Sequence, residues 1–246
     1  MNNTVLSYYT KIEDNKFSKE SSELLYFWRK NWTEKGWKPV VLNEKYARNH
    51  PLLKSASLDI DDLEGNLYKY STNTSSYLIH CYLRWFAFHR YVMEHDSTCW
   101  ADYDVYNRNF TFEDFESDGN TKIFCPSGCA GVLSKESGDE ITQMFKKIQL
   151  TKDLDQIDLP SQEQREYIIN CVKEKCLSDM LLMQMLMRKT LHRITSSLKE
   201  ENYKEYSLFH FHGGFLKKRL DSIKIPNAKQ RTRMQIINLC IKHYLS

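Results

Sequence analysis

Apolar positions recur along this chain with two periods, and their alternation predicts a β-α-β opening. Residues 4–10, TVLSYYT, combine β-branched and aromatic side chains before a polar break, which predicts a first strand. In 18–36, Leu24, Leu25, Phe27, Trp28, Asn31 and Trp32 fall three and four residues apart, so this stretch predicts a helix. Serines can cap its start and Gly36 can close its end. WKPVVLNE (37–44) predicts the next strand, and 45–70 predict short helices and loops.

The stretch 75–95, SSYLIHCYLRWFAFHRYVMEH, is apolar almost all round and predicts a buried helix with Arg84 in its middle. TCWADYDVY (98–106) predicts a strand, followed by an acid-rich loop at 113–118. Residues 121–137 predict one or two strands around a glycine break, and 138–149 a helix. Residues 161–195 predict two helices meeting near 177–179, and SLFHFHGG (207–214) a short strand ending in a glycine turn. Strands alternating with helices predict one α/β domain, a mainly parallel central sheet flanked by helices. In such sheets the ligand sits at the carboxyl ends of the strands.

Asp102 and Asp104 break this pattern, because burying a carboxylate is costly unless something pairs with it. The chain has two other Asp-x-Asp pairs, Asp59/Asp61 and Asp153/Asp155, both in acidic, loop-like surroundings. Spacing does not separate the three, but context does. On a strand, residues two apart face the same way, so Asp102 and Asp104 would aim both carboxylates at one point. A hard cation such as Mg²⁺ or Mn²⁺ suits such oxygens and completes its shell with substrate phosphates. The plainer alternative is an ion-paired carboxylate pair with Arg84. A guanidinium in an apolar helix wants a carboxylate or phosphate, and the helix directly precedes the strand. In LFHFHGGFLKKR (208–219), His210 and His212 alternate with phenylalanines and share one face. They offer metal ligands, and Lys217, Lys218 and Arg219 offer cations beyond a glycine pair.

At 41% hydrophobic and 13% aromatic, the composition excludes a disordered or collagen-like chain. The net charge of +3 argues against a nucleic-acid binder. The basic residues nevertheless crowd the C-terminus, where eight Lys/Arg follow Gly213 against one acid, Asp221. Seven scattered cysteines form no disulfide framework or CxxC zinc spacing and fit a reducing compartment. With no signal-peptide pattern and no apolar run of membrane-spanning length, the expected location is cytoplasmic.

Taken in order, these segments resemble the nucleotide-sugar glycosyltransferases of the GT-A fold, a Rossmann-like α/β architecture. The N-terminal strand LSYYT resembles the one whose end receives the nucleotide base. WRKNWTEKGWKPVVLNEKYARNHP (28–51) resembles their helix-turn-strand segment, 75–107 their arginine-bearing helix and DxD strand, and HFHGGFLKK their C-terminal histidine-lysine region. The resemblance implies that Asp102 and Asp104 hold Mn²⁺ or Mg²⁺ and the sugar nucleotide, with Arg84 orienting Asp102 or touching the donor. A histidine would close the metal shell. His210 matches through Gly213, and His212 matches the six-residue step to Lys218, which favours His212. Lys217 or Lys218 would contact the diphosphate, Tyr8, Tyr9 or Thr10 would lie by the base, and Tyr103 would lie with the donor. PSGCAGVLS (126–134) resembles a sugar-pocket segment, and Asp179 stands where an acceptor-side general base is expected, its plainer alternative being a helix N-cap. Residues 1–107 would form the donor half and 108–246 the acceptor half. The donor would be a UDP- or GDP-sugar and the acceptor a glycan hydroxyl. Where relatives carry Gly-Gly before the DxD strand, this chain has HDST.

Two rival readings remain at this level. A metal-dependent phosphohydrolase or nuclease would need ligands for a second ion. A non-catalytic module would use 224–246, where Met234, Ile237, Leu239, Ile241 and Leu245 stand beside basic residues, as a peripheral membrane or partner helix.

Overall fold

The computed structural model describes residues 3–11, 18–55, 57–63, 75–111, 122–123, 129–151, 154–159, 161–175, 178–179, 182–183, 194–195, 206–211 and 231–245. The opening follows the hydrophobic pattern: β1 (Thr4–Tyr8), α1 (Ser18–Glu34) and β2 (Lys38–Leu42). Gly36, at φ 80°, adopts the left-handed backbone that closes α1, a conformation glycine enters without penalty. Two short helices, α2 (Glu44–Arg48) and α3 (Pro51–Lys54), precede the long α4 (Ser75–Glu94).

The main sheet has the order β2-β1-β3-β6-β5, with β3 at Thr98–Ala101, β5 at Lys122–Ile123 and β6 at Ala130–Leu133. Both β2 and β3 run parallel to β1, whereas β6 runs antiparallel to β3 and β5 antiparallel to β6. The sheet is therefore mixed, and without the two-residue β5 it is a mostly parallel four-stranded one. Period-two alternation distributes each strand between two cores. Leu6, Trp100 and Leu133 face α4, α5 (Lys135–Leu150) and α6 (Gln162–Lys173). Val5, Cys99, Ala101, Ala130 and Val132 face the tryptophans of α1, Trp28 and Trp32. Helices thus cover both faces, as an α/β fold requires.

The expected strand 98–106 is two strands. β3 ends at Ala101, and residues 102–104 turn, closed by the Val105 N–H donating to the Asp102 carbonyl at 2.9 Å. The chain re-enters as β4 (Val105–Asn107) in a separate three-stranded sheet, order β4-β8-β7. Here β8 is Leu208–His210 and β7 is Ile194–Thr195, so the expected helix across 161–195 gives way to a strand at its end. The cause is pairing: Ile194 and Thr195 run alongside Leu208 and Phe209. α7 (Arg233–Cys240) starts in a capping box between Thr232 and Gln235 and continues as a π-helical turn, Ile241–Leu245. Ile236, Ile237, Cys240 and Leu245 are buried with Phe209 and Phe211, so this side of the segment packs on the small sheet. Among the described residues, no helix is long and apolar enough to cross a membrane. Among the described residues, Cys81, Cys99, Cys129, Cys171 and Cys240 are thiols.

Candidate metal centre

The turn that carries the two aspartates is the point where the chain steps between sheets. Each aspartate is anchored to a different sheet. The Asp102 N–H donates to the Cys129 carbonyl at 2.7 Å, extending the β3–β6 ladder by one bond, and the Asp104 carbonyl accepts from the Phe211 N–H at 2.9 Å beside β8. Antiparallel register sets Val105 opposite His210. The two carboxylates and the His210 imidazole therefore meet, with ligand atoms within 4.8 Å of one another. The carboxylates converge as expected, but through a turn between two sheets instead of the two-residue repeat of one strand.

Guanidiniums flank the pair. Arg84 Nη1 donates to Asp102 Oδ1 at 3.0 Å, and its Nη2 donates to Asp179 Oδ2 at 2.5 Å. Trp85 Nε1 also donates to Asp179 Oδ2, at 2.8 Å. On the other side, Arg233 Nη2 donates to Asp104 Oδ2 and to the Phe211 carbonyl, both at 2.6 Å. His210 Nε2 lies 3.2 Å from Asp104 Oδ1. Burial acts most strongly on Asp102 and Arg84 opposes it; with Asp104 adding to the burial, the carboxyl is pushed up to about 6. Burial would raise Asp104 too, but His210 and Arg233 outweigh it and hold that carboxyl well below the usual carboxylate range. The surroundings thus push the two acids apart, Asp102 upwards and Asp104 downwards.

The donor set fits a hard divalent cation. Two carboxylates and an imidazole supply oxygen and nitrogen ligands. The 3.2 Å between His210 Nε2 and Asp104 Oδ1 is near the roughly 3 Å separating adjacent ligands on an octahedral ion with bonds of about 2.1 Å. The outer oxygens, Asp102 Oδ1 and Asp104 Oδ2, are held by the arginines, the kind of supporting contact that orients metal ligands.

The other expected site residues distribute as follows. Tyr8 ends β1, and its hydroxyl is 3.3 Å from His80 Nδ1. The Tyr9 ring packs edge-on against Tyr103 with centroids 5.8 Å apart, bringing the end of β1 to the aspartate turn; Thr10 follows it. The Tyr103 hydroxyl is pushed up to about 12, by burial first and by Asp104 next. Asp179 is 1% exposed; it accepts from Arg84, whose charge it balances, and from the Trp85 Nε1–H. His212, Lys217 and Lys218 lie outside the described residues, so His210 is the histidine seen at the aspartates. Arg233 escaped the sequence reading, since only the tertiary fold brings it to Asp104. Asn31, which falls in the apolar stripe of α1, bonds the backbone of β4. Comparison with protein-family models, with curated proteins and with solved structures returned no match to this chain.

Proposed function

We propose that the chain is a metal-dependent glycosyltransferase of the GT-A type, moving a sugar from a nucleotide-diphosphate sugar to a hydroxyl acceptor on a glycan. The observation that carries this reading is the meeting of Asp102, Asp104 and His210 at the carboxyl end of β3. That is where an α/β sheet binds its ligand. The parallel strands β2-β1-β3 and the arginine helix before the aspartates support it further.

In this reading Asp102, Asp104 and His210 hold Mn²⁺ or Mg²⁺. When bound, such an ion neutralises the charge that builds on a departing nucleoside diphosphate. Arg84 fixes the rotation of Asp102 through Oδ1 and is itself held by Asp179. Tyr8, Tyr9 and Tyr103 border the end of β1, where the base of a UDP- or GDP-sugar would stack. Lys217 and Lys218 remain the proposed diphosphate contacts, and His212 the alternative ligand. Residues 1–107 supply the donor side and 108–246 the acceptor side. Asp179 acts as a positioning residue for Arg84. A two-metal phosphohydrolase finds less support, because the described residues hold one group of ligands and not two.

Isothermal calorimetry with UDP- and GDP-sugars in Mn²⁺ tests the proposal. The wild-type chain binds one of them only with the cation present, and Asp104→Ala abolishes that binding while the circular dichroism spectrum is kept. Equal affinity in the variant, or no binding of any nucleotide sugar by the wild type, overturns the reading.

A further inference from the structure

Arg233 is the first helical residue of α7, set by the Thr232–Gln235 capping box. Its Nη2 reaches two acceptors at once, Asp104 Oδ2 and the Phe211 carbonyl, each at 2.6 Å. Phe211 directly follows His210, and its N–H already pairs with the Asp104 carbonyl. The aspartate turn and the end of β8 are therefore tied twice, once through backbone and once through the guanidinium. The Arg233 side chain is 17% exposed, and its Nε is buried with no hydrogen-bond partner among the described residues. Placing a guanidinium so is unfavourable by itself; the two Nη2 bonds offset it.

This contact has a consequence for direction. A carboxylate can rotate about its last bond unless one oxygen is held. With Oδ2 fixed by Arg233, Oδ1 is turned towards His210 Nε2, 3.2 Å away. Arg84 does the same for Asp102 through Oδ1. The two carboxylates of the turn are thus aimed by arginines from two different helices, α4 and α7.

We propose that Arg233 is a positioning residue of the cation site, holding Asp104 and His210 in ligating geometry, so that the C-terminal helix belongs to the metal centre. The inference rests on the cation-site reading above. A mere counter-ion would act in the opposite sense: a positive charge beside Asp104 would repel the divalent ion, and its removal would tighten binding.

Mn²⁺ alone, titrated against the full chain without nucleotide and followed by the electron paramagnetic resonance signal of the aquo ion, separates the two. Circular dichroism melts check folding. Supporting contacts of this kind typically alter metal affinity about 10–100-fold, so Arg233→Met weakens Mn²⁺ by that factor. Arg233→Lys, with a shorter and non-planar head, falls between it and the wild type. Unchanged or tighter binding in Arg233→Met overturns the proposal. If that variant does not fold, Arg233→Lys decides: several-fold weaker binding supports the proposal, and unchanged binding overturns it. Absence of Mn²⁺ binding in the wild type, matched by Asp104→Asn, overturns the cation site itself, a result distinct from failure of the arginine variants alone.

Discussion

Asn31 on α1 and Asn107 on β4, 76 positions apart, exchange two hydrogen bonds. The Asn31 carboxamide Nδ2 donates to the Asn107 carbonyl at 2.8 Å, and the Asn107 N–H donates to Asn31 Oδ1 at 2.7 Å. A side chain thus takes the place of a neighbouring strand along this edge of β4. Trp32 Nε1 adds a bond to the Val105 carbonyl at 3.2 Å. The strand that follows the aspartate turn is therefore braced on one side by β8 and on the other by α1.

Asn31→Leu leaves two buried backbone groups of Asn107 unsatisfied, at about 1–3 kcal/mol each. Urea unfolding is expected to show a loss of roughly 2–6 kcal/mol. A loss under about 1 kcal/mol would mean that water or a rearranged strand replaces the carboxamide.

Asp179 discriminates between a structural and a catalytic carboxylate. Its side chain is 2% exposed and that of Arg84 is 12% exposed, so the pair is desolvated. Removing one member of a buried pair costs about 3–5 kcal/mol. Asp179→Ala is expected to lower stability by that amount and to loosen Asp102 through Arg84. A general base would instead give a variant of wild-type stability with depressed turnover, and thermal melts beside steady-state kinetics tell the two apart.

His50 and His89 form a buried pair, with His50 Nε2 and His89 Nδ1 3.0 Å apart. The Leu52 N–H donates to His50 Nδ1 at 3.2 Å, so the hydrogen-bond pattern assigns the proton of the neutral ring to Nε2. Burial first, then His89 and Arg90, lower His50 from 6.5 to about 4. Burial lowers His89 as well, against Asp139. The unfolded chain takes up protons near pH 6.5 that the folded chain refuses until about 4. The contribution to stability is whole above pH 6.5 and is lost as pH falls from there towards 4. His50→Asn keeps a cap for Leu52 and should show a shallower fall of the urea midpoint over that window; parallel curves would refute the assignment.

Gly138, in the first turn of α5, leaves room for the same pair. A Cβ there would stand 2.5 Å from His89 Cδ2 and 2.8 Å from Cγ. His89 cannot retreat easily, because His50 and Thr142 Oγ1 both contact its Nδ1. Overpacking costs about 1–3 kcal/mol, and alanine recovers about 1 in helix propensity. Gly138→Ala is expected to lose about 1 kcal/mol net, read as a lower melting temperature; a stabilised variant would show that the ring moves freely.

The elements written in local pattern were legible from the chain. The alternating strand at 4–8, the stripe of Leu24, Trp28 and Trp32, and the all-round apolar helix holding Arg84 each carry their period within one segment. Residue type marked Asp102, Asp104, Arg84 and His210 as groups needing partners, because a buried charge without one is too costly to stand. Which partners they take was not written there. The break of 98–106 into β3 and β4 falls on Asp102 and Asp104, residues that favour turns, but its place follows from Val105–Asn107 pairing with Leu208–His210 and with Asn31. Arg233 is one basic residue among several in the C-terminal stretch until the helix cap sets it against Asp104, 129 positions away.

By itself, then, the sequence determined the short-range architecture and the kinds of side chain that demand charge compensation, since both depend on neighbours within a few residues. Only the tertiary structure decided that Asp179 is a buried anchor, that His210 meets the aspartates, and that the C-terminal helix reaches the same point. Those outcomes depend on strand register and on which distant charge arrives at a desolvated carboxylate. They are long-range pairings that no local period encodes.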